Sequence, residues 1–411
     1  PMDFSDCIAL LGPDLRPTRC HRVTVEGGRF ARIEPAAEQR AMDRPRLVLV
    51  PAFVNAHTHM GDSAAPDGAT GLTLEEGFFR PDGFKYRLLD TIAPEAHHRH
   101  LCAHLRYMAR SGTHCHLDFR EQGVEGTRRL RRASDATGVR SVILGQFAQV
   151  PFTEAELAAN TAPLNEAARA ELAALLAEAD GFSESTMNDL TEPAWAEIRA
   201  ATDAAGKLRA IHCLENDGYR DVSLARTGRG DLIRAIEGFA PHLIIHLTVA
   251  NADEISLLAA HDVTCVLNPR ANANLGLPLP PIRALLEAGV TCLLGTDNGL
   301  LNSPSMLAEL DFTYKVAKSQ YGNATAPTPE QILAMATTNA ARALGPALGS
   351  ELVEGAPAHL AVLDFSAPHL RASHDIPASV CTRVTPEDVA LTLRDGQPIY
   401  RREEKAGGKL L

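Results

Sequence analysis

The stretch that decides how this chain folds is LVLVPAFVNAHTHMGDS, residues 47–63. An apolar run passes into two histidines one residue apart, His57 and His59, followed by a Gly-Asp turn. Continuous apolar runs of this kind mark strands buried on both faces, as in parallel sheets covered by helices. Residues i and i+2 of a strand project to the same side, so both imidazoles can face one point at the strand's end. An H-x-H pair alone is weak evidence, because alternate histidines also arise on half-buried strands. Its meaning depends on what the rest of the chain places nearby.

Working outward, short apolar runs keep returning. The first strand is read at 47–56, and others follow at THCHLDF (113–119), SVILGQF (141–147), ADGFSES (179–185) and LRAIHCL (208–214). HLIIHLT (242–248), VTCVLN (263–268) and VTCLLGT (291–296) complete the series. Between them lie segments such as EAARAELAALLAEAD, with apolar residues at helical spacing. Eight strands each followed by a helix predict an α/β chain with a (β/α)8 TIM barrel over 49–350. A doubly wound sheet is the competitor, and the count of eight with polar groups at strand ends favours the barrel.

The two chain ends differ from the middle. Residues 1–48 and 351–411 hold short runs with turns, such as RVTVEGGRFARI and VALTLRDGQPIYRR. They predict one composite small β-sandwich domain without helices. The connection at 60–93 is too long for a plain loop and belongs on the catalytic face.

Bulk composition excludes several classes. The 40 basic and 51 acidic residues give a net charge of −11, which argues against nucleic acid or an anionic membrane as partner. No apolar run approaches the ~18 residues of a membrane helix, and no signal-peptide pattern opens the chain. Eight scattered cysteines without a C-x-x-C pair suit a reducing cytoplasm. The expectation is a cytoplasmic protein acting on a small molecule.

Several strand ends supply partners for His57 and His59. The fifth ends in His212 with Glu215 beyond it, the sixth ends in His246, and the eighth leads into Asp297. A barrel brings these ends together, and three imidazoles with one carboxylate form the ligand set of a catalytic divalent metal. A second pair, His114 and His116, lies earlier on its strand, which predicts packing or a bond behind the ligands. His97, His98, His100 and His104 share a helix expected outside the barrel, as surface or packing residues. On the 60–93 connection Phe79, Lys85, Tyr86 and Arg87 are candidate pocket residues, each read by default as a solvated loop residue.

PAFVNAHTH, IHCLEN, HLTVANADEI, the block LNPRANANLGLPLPPIRALLEAGVTCLLGTDNG and TPEQILAMATTNAARALG together resemble the amidohydrolase superfamily. The likeness is to the branch of cytosine, guanine and S-adenosylhomocysteine deaminases and triazine chlorohydrolases, with Ala52 where Gly is usual. That resemblance implies that His57, His59, His212 and Asp297 bind one divalent ion, zinc first and iron(II) or manganese(II) as alternatives. It implies catalytic roles for Glu215, His246 and Asp297, and oligomers, usually homodimers. Many members carry a second metal bridged by a fourth-strand lysine, but no lysine lies between Lys85 and Lys207. Glu184 could bridge two ions instead, as a carboxylate does in some relatives, but it reads more simply as a polar strand-end residue beside a single-ion site. Substrate contacts are expected from Asp62, Arg120, Glu121, Asn268, Arg270, Asn272 and Asn298. The two arginines could instead make internal ion pairs. The expected reaction is hydrolytic deamination of a nitrogen heterocycle or nucleoside-like compound. The alternative is hydrolysis of a cyclic amide, imide or lactam C–N bond.

Overall fold

The computed structural model describes residues 1–37 and 45–403. The chain begins with β1 (Met2–Leu11), β2 (Arg16–Glu26), β3 (Arg29–Pro35) and β4 (Leu47–Pro51). The next strands are β5 (Phe53–His59), β6 (Thr113–Arg120), β7 (Arg140–Gly145), β8 (Gly181–Glu184) and β9 (Leu208–Cys213). Then come β10 (Leu243–His246), β11 (Thr264–Leu267), β12 (Cys292–Leu294) and β13 (Asp297–Asn298). The C-terminal part adds β14 (Leu360–Asp364), β15 (Val389–Arg394) and β16 (Gln397–Arg401).

Strands β5 to β12 pair in chain order, all in parallel, and β13 pairs back with β5. Asp297 lies opposite Thr58 and Asn298 opposite His59, so the ring closes at the level of the histidines. Strands β12 and β13 are two parts of the expected eighth strand. At the gap between them a side chain makes the seam: Thr296 N donates to Asn55 Oδ1, and Asn55 Nδ2 donates to Thr296 Oγ1 at 2.7 Å. Gly295 is needed there, because a Cβ would lie 2.7 Å from the backbone nitrogen of His57.

The expected strand at 47–56 is in fact two. Pro51 has no N–H to continue a ladder. Leu47–Pro51 pairs with β1 and β14 in the sheet of the chain ends, so the boundary expected after residue 48 falls inside this strand. Ala52 N donates to His359 O, and the chain then enters the barrel at Phe53. Both site histidines therefore sit within strand β5, which extends to His59 rather than ending at Ala56.

The chain ends combine into one seven-stranded sheet, ordered β16-β15-β14-β4-β1-β2-β3. It curls on itself, with Phe30 N donating to Ala356 O and Gly396 N to Ala358 O. Phe4, Val23, Phe30, Leu49, Leu360 and Leu391 fill its core. Where only strands were expected there are also two short helices, Pro368–Arg371 and Ile376–Thr382. Asp375 caps the second by accepting from Ala378 N, a signal too brief for apolar periodicity to register. The 60–93 connection likewise carries helices, Leu74–Phe78 and Phe84–Thr91, the first opened by a Thr73–Glu76 capping box. All eight cysteines are buried and unpaired. Among the described residues no helix is long and apolar enough to cross a membrane.

Candidate metal centre

Four strands deliver the central groups: His57 and His59 from β5, His212 from β9, His246 from β10 and Asp297 from β13. His246 and Asp297 hold positive φ angles of 86° and 64°, a strained backbone that sets them where the strands end. His57 Nε2 lies 3.2 Å from Asp297 Oδ1, and His59 Nε2 lies 3.6 Å from the same oxygen. His212 Nε2 is 3.3 Å from the Nε2 atoms of both His57 and His59. His246 Nε2 lies 3.5 Å from Glu215 Oε1 and 3.8 Å from Asp297 Oδ2.

The outer nitrogens decide where the ring protons are. His59 Nδ1 faces only acceptors of its proton, Phe119 O at 3.1 Å and Glu121 Oε1 at 3.0 Å, apart from the Lys85 ammonium at 3.3 Å. His212 Nδ1 donates to the backbone carbonyl of Glu184 at 3.3 Å. Both rings therefore carry their proton on Nδ1, and their Nε2 lone pairs point at each other. Two lone pairs 3.3 Å apart, beside a buried carboxylate oxygen with no donor, repel unless a cation sits among them. The donor set fits a divalent ion with nitrogen and oxygen ligands.

Electrostatics agree with that arrangement. Burial alone would raise Asp297, but the neighbouring His57, His246 and His59 hold it well below the usual carboxylate range. Burial lowers His57 to about 4 and His246 to about 3, so both rings are neutral. Glu215 moves the other way, pushed up to about 8 by burial and by Asp297, against a hydrogen bond with Tyr219.

Most of the expected substrate contacts lie behind these groups. Asn268 and Asn272 each place Nδ2 at 3.3 Å from His246 Nδ1, which fixes that ring's proton on Nε2, facing Glu215 and Asp297. Glu121 supports His59 and is held by Lys85 Nζ at 2.6 Å and Arg120 at 3.1 Å. Arg270 turns toward the buried Glu309, Nη1 to Oε2 at 3.4 Å. Asp62 accepts from Asn298 Nδ2 at 2.6 Å and from Leu300 N. Of this set only Asn298 lines the cavity above the cluster. Glu184 pairs with Arg80 at 3.2 Å, and its carboxylate is in none of the metal-competent groups among the described residues.

Lys85 is no solvated loop residue: it is buried, and it lines the cavity with Phe79 and Tyr86. His97 is a packing residue, buried with its Nε2 against Gly61 O at 2.7 Å, where it props the turn after His59. Gly61 itself must lack a side chain, because a Cβ would lie 2.4 Å from Arg120 Nη1. Tyr219 was missed, although it lies four residues beyond Glu215, in the first turn of the helix Asp217–Thr227, and lines the same cavity.

The chain is similar to known proteins over almost its whole length. A protein of Methanothermobacter thermautotrophicus, provisionally named an aminohydrolase, is 32% identical over 399 residues, covering 95% of this chain and 97% of that one. A 5'-deoxyadenosine deaminase of Methanosarcina acetivorans is 26% identical over 402 residues, covering 95% and 90%. The crystal structure of an adenosine deaminase from Xanthomonas campestris with bound zinc superposes with a TM-score of 0.82. At 22% identity, over 95% of this chain and 92% of that one, it is a likeness of fold. The amidohydrolase family profile matches residues 48–399, the whole barrel together with β4, β14, β15 and most of β16 of the end sheet, and the chain belongs to that family.

Proposed function

We propose that His57, His59, His212 and Asp297 hold one divalent ion, zinc, and that Glu215 and His246 carry the proton traffic beside it. The chain is a metal-dependent hydrolase acting on C–N bonds, and the reading best supported is hydrolytic deamination of a nitrogen heterocycle or nucleoside-like compound. The observation that carries the proposal is the meeting of the His59 and His212 lone pairs beside the donor-free Asp297 Oδ1. Zinc is favoured by the mixed imidazole and carboxylate donors and by its presence in the structural neighbour. Bound there, the ion supplies Lewis-acid activation of a water at neutral pH.

The chain's own residues do the rest. Asp297 Oδ2 and His246 Nε2, 3.8 Å apart, face the same volume and orient the attacking water. His246 is neutral, and its Nε2–H is aimed by the two asparagines, so it steadies negative charge as it develops on oxygen. Glu215 is protonated at neutral pH and donates to a ring nitrogen. The carboxylate so formed takes a proton from the attacking water and passes it to the departing amine, a general base and then acid relay. Phe79 and Tyr219 give the cavity flat walls suited to an aromatic ring.

The test is chemical. Zinc-loaded protein is incubated with aminopurines, aminopyrimidines, aminotriazines and cyclic imides, and ammonia is assayed against ring opening. Ammonia release is expected. Ring opening of the imides without ammonia from any amine transfers the assignment to cyclic amide hydrolysis.

A further inference from the structure

We propose that Thr248 and Asp231 are positioning residues for the proton relay: they clasp the turn that carries Glu215 to the turn that carries His246. This inference rests on the relay role given to Glu215 and His246 above.

Neither turn is one that the backbone takes unaided. Leu214, directly before Glu215, has a φ of 54°, and His246 and Leu247 have φ angles of 86° and 61°. Leucine has no short polar side chain to hold itself in the left-handed region, so this conformation persists only where the surroundings fix it. It also decides where Glu215 points. A return to negative φ at Leu214 would redirect the chain after Cys213 and carry the carboxyl away from His246 Nε2, which lies 3.5 Å from Glu215 Oε1.

Two side chains do the fixing. Asp231 Oδ2 accepts from Leu214 N at 2.9 Å. That carboxylate is fully buried, and its Oδ1 has no partner. A buried oxygen left unpaired is rare, and here it accompanies a bond that holds strain. From the neighbouring strand end, the Thr248 hydroxyl donates to Glu215 O and lies 3.0 Å from Leu214 O.

Backbone bonds run beside the clasp without replacing it. Leu247 N donates to Cys213 O and Val249 N to Leu214 O, each at 3.1 Å, so the two turns are joined up to Leu214. Among the described residues it is Thr248 that reaches the carbonyl of Glu215. Neither Thr248 nor Asp231 lines the cavity over the cluster, and neither belongs to a metal-competent group among the described residues. Their effect on the chemistry therefore passes through the placement of Glu215 beside His246.

The experiment uses the full, zinc-loaded chain and has two arms, crystal structures of the variants and kinetics with the compound of the panel above that turns over fastest. In Thr248→Val and Asp231→Ala, the Glu215 carboxyl is expected to move away from His246. Their kcat should fall by about tenfold to a hundredfold, the effect of a small misplacement at a reacting group, with KM and zinc content little changed. Thr248→Ser keeps the hydroxyl and Asp231→Asn keeps an acceptor for Leu214 N, so both should restore kcat toward the wild type. Thr248→Val combined with Glu215→Gln should be no slower than Glu215→Gln alone, because the carboxyl to be positioned is gone. Melting temperature is checked throughout. Glu215 still beside His246 in the structures of both Thr248→Val and Asp231→Ala overturns the proposal, whether or not any compound turns over. A full further loss of kcat from Thr248→Val in the Glu215→Gln background overturns it as well, since the threonine would then act on something other than Glu215. A displaced Glu215 with unchanged kcat keeps the clasp and removes the relay reading.

Discussion

Strands β5 and β6 each carry an H-x-H pair, and the two pairs do different work. Burial does not separate them, since His57, His59, His114 and His116 are all at most 5% exposed. Register does. His116 lies opposite Asn55, two residues below His57, so the second pair sits deeper in the barrel. The partners of the ring nitrogens differ accordingly. His57 and His59 meet other imidazoles and Asp297. His116 Nδ1 instead donates to Thr58 Oγ1 at 2.8 Å, Thr58 donates to Asp118 at 2.6 Å, and Ser141 donates to His116 Nε2 at 2.6 Å. Through these bonds His116 locks the strand that carries the ligands, whereas neither ring nitrogen of His114 has a hydrogen-bond partner. The lesson is that a motif acquires its chemistry from its height in the barrel as well as from its spacing.

Breaking the two pairs separately gives the largest expected difference. His57→Ala or His59→Ala should strip the metal on dialysis and abolish turnover, read by metal analysis and ammonia assay. His116→Ala should keep the metal but lose about 1–3 kcal/mol of stability, because it strands Thr58 and Ser141 without their partner. Metal loss equal to that of His57→Ala would show that the deeper pair also binds the ion.

Glu215→Gln tests the acid placed beside the mouth pair. It should retain metal and lower kcat by about 10²–10⁴-fold. The pH profile has a definite sign. With a folded pKa of about 8 against an ordinary 4.5, the carboxyl is a proton donor below about 8 and loses that proton above it. Wild-type kcat/KM should therefore fall as pH rises through about 8, and residual activity of the variant should lack that limb.

Much of this contrast was legible in the chain. The eight strands, the six groups of the site and the deeper placing of His114 and His116 follow from apolar periodicity and from counting along each strand. What was hidden depends on packing between distant segments. Lys85 looks solvated in sequence because nothing local shows that the 60–93 connection brings it to His59 and Glu121. Arg120 and Glu121 follow a strand end and read as pocket residues, yet the side-chain-free Gly61 lets them close beneath His59 instead. The break after Pro51 was written in the proline, but its use to move the chain between sheets needed β14, some three hundred residues later.

A subtler test concerns how the mouth pair is supported. Glu121 Oε1 is shared between His59 Nδ1–H at 3.0 Å and the Lys85 ammonium at 2.6 Å. A carboxylate behind a ligand histidine strengthens it, and loss of such a partner typically weakens metal binding about 10–100-fold. Glu121→Gln should show that loss in competition with a chromophoric chelator. Lys85→Met should move the affinity the opposite way, by a few-fold, because it frees Glu121 for His59 and removes a positive charge near the ion. Weaker binding in Lys85→Met would mean that the lysine mainly holds Glu121 in place.

The smallest effect belongs to the far end of β6, and it isolates what depth alone does to a histidine. His114 stacks on His359 of the end sheet, ring centres 4.1 Å apart and 15° from parallel. Burial keeps both rings neutral, with His359 lowered to about 4 and His114 lowered further in the same direction. An unfolded histidine gains its proton near 6.5, so between there and about 4 the unfolded chain binds more protons than the folded one. Stability should then drop as pH falls through that window, by about 3 kcal/mol through His359 alone, with His114 adding to the loss in the same direction. His114→Phe keeps the stacked shape and removes one of the two titrating rings. Its unfolding free energy should lose less between pH 6.5 and 4.5 than that of the wild type, with zinc content unchanged. Parallel losses in the two proteins would place the acid sensitivity elsewhere, and a change in zinc content would mean that the ends of the barrel are not independent.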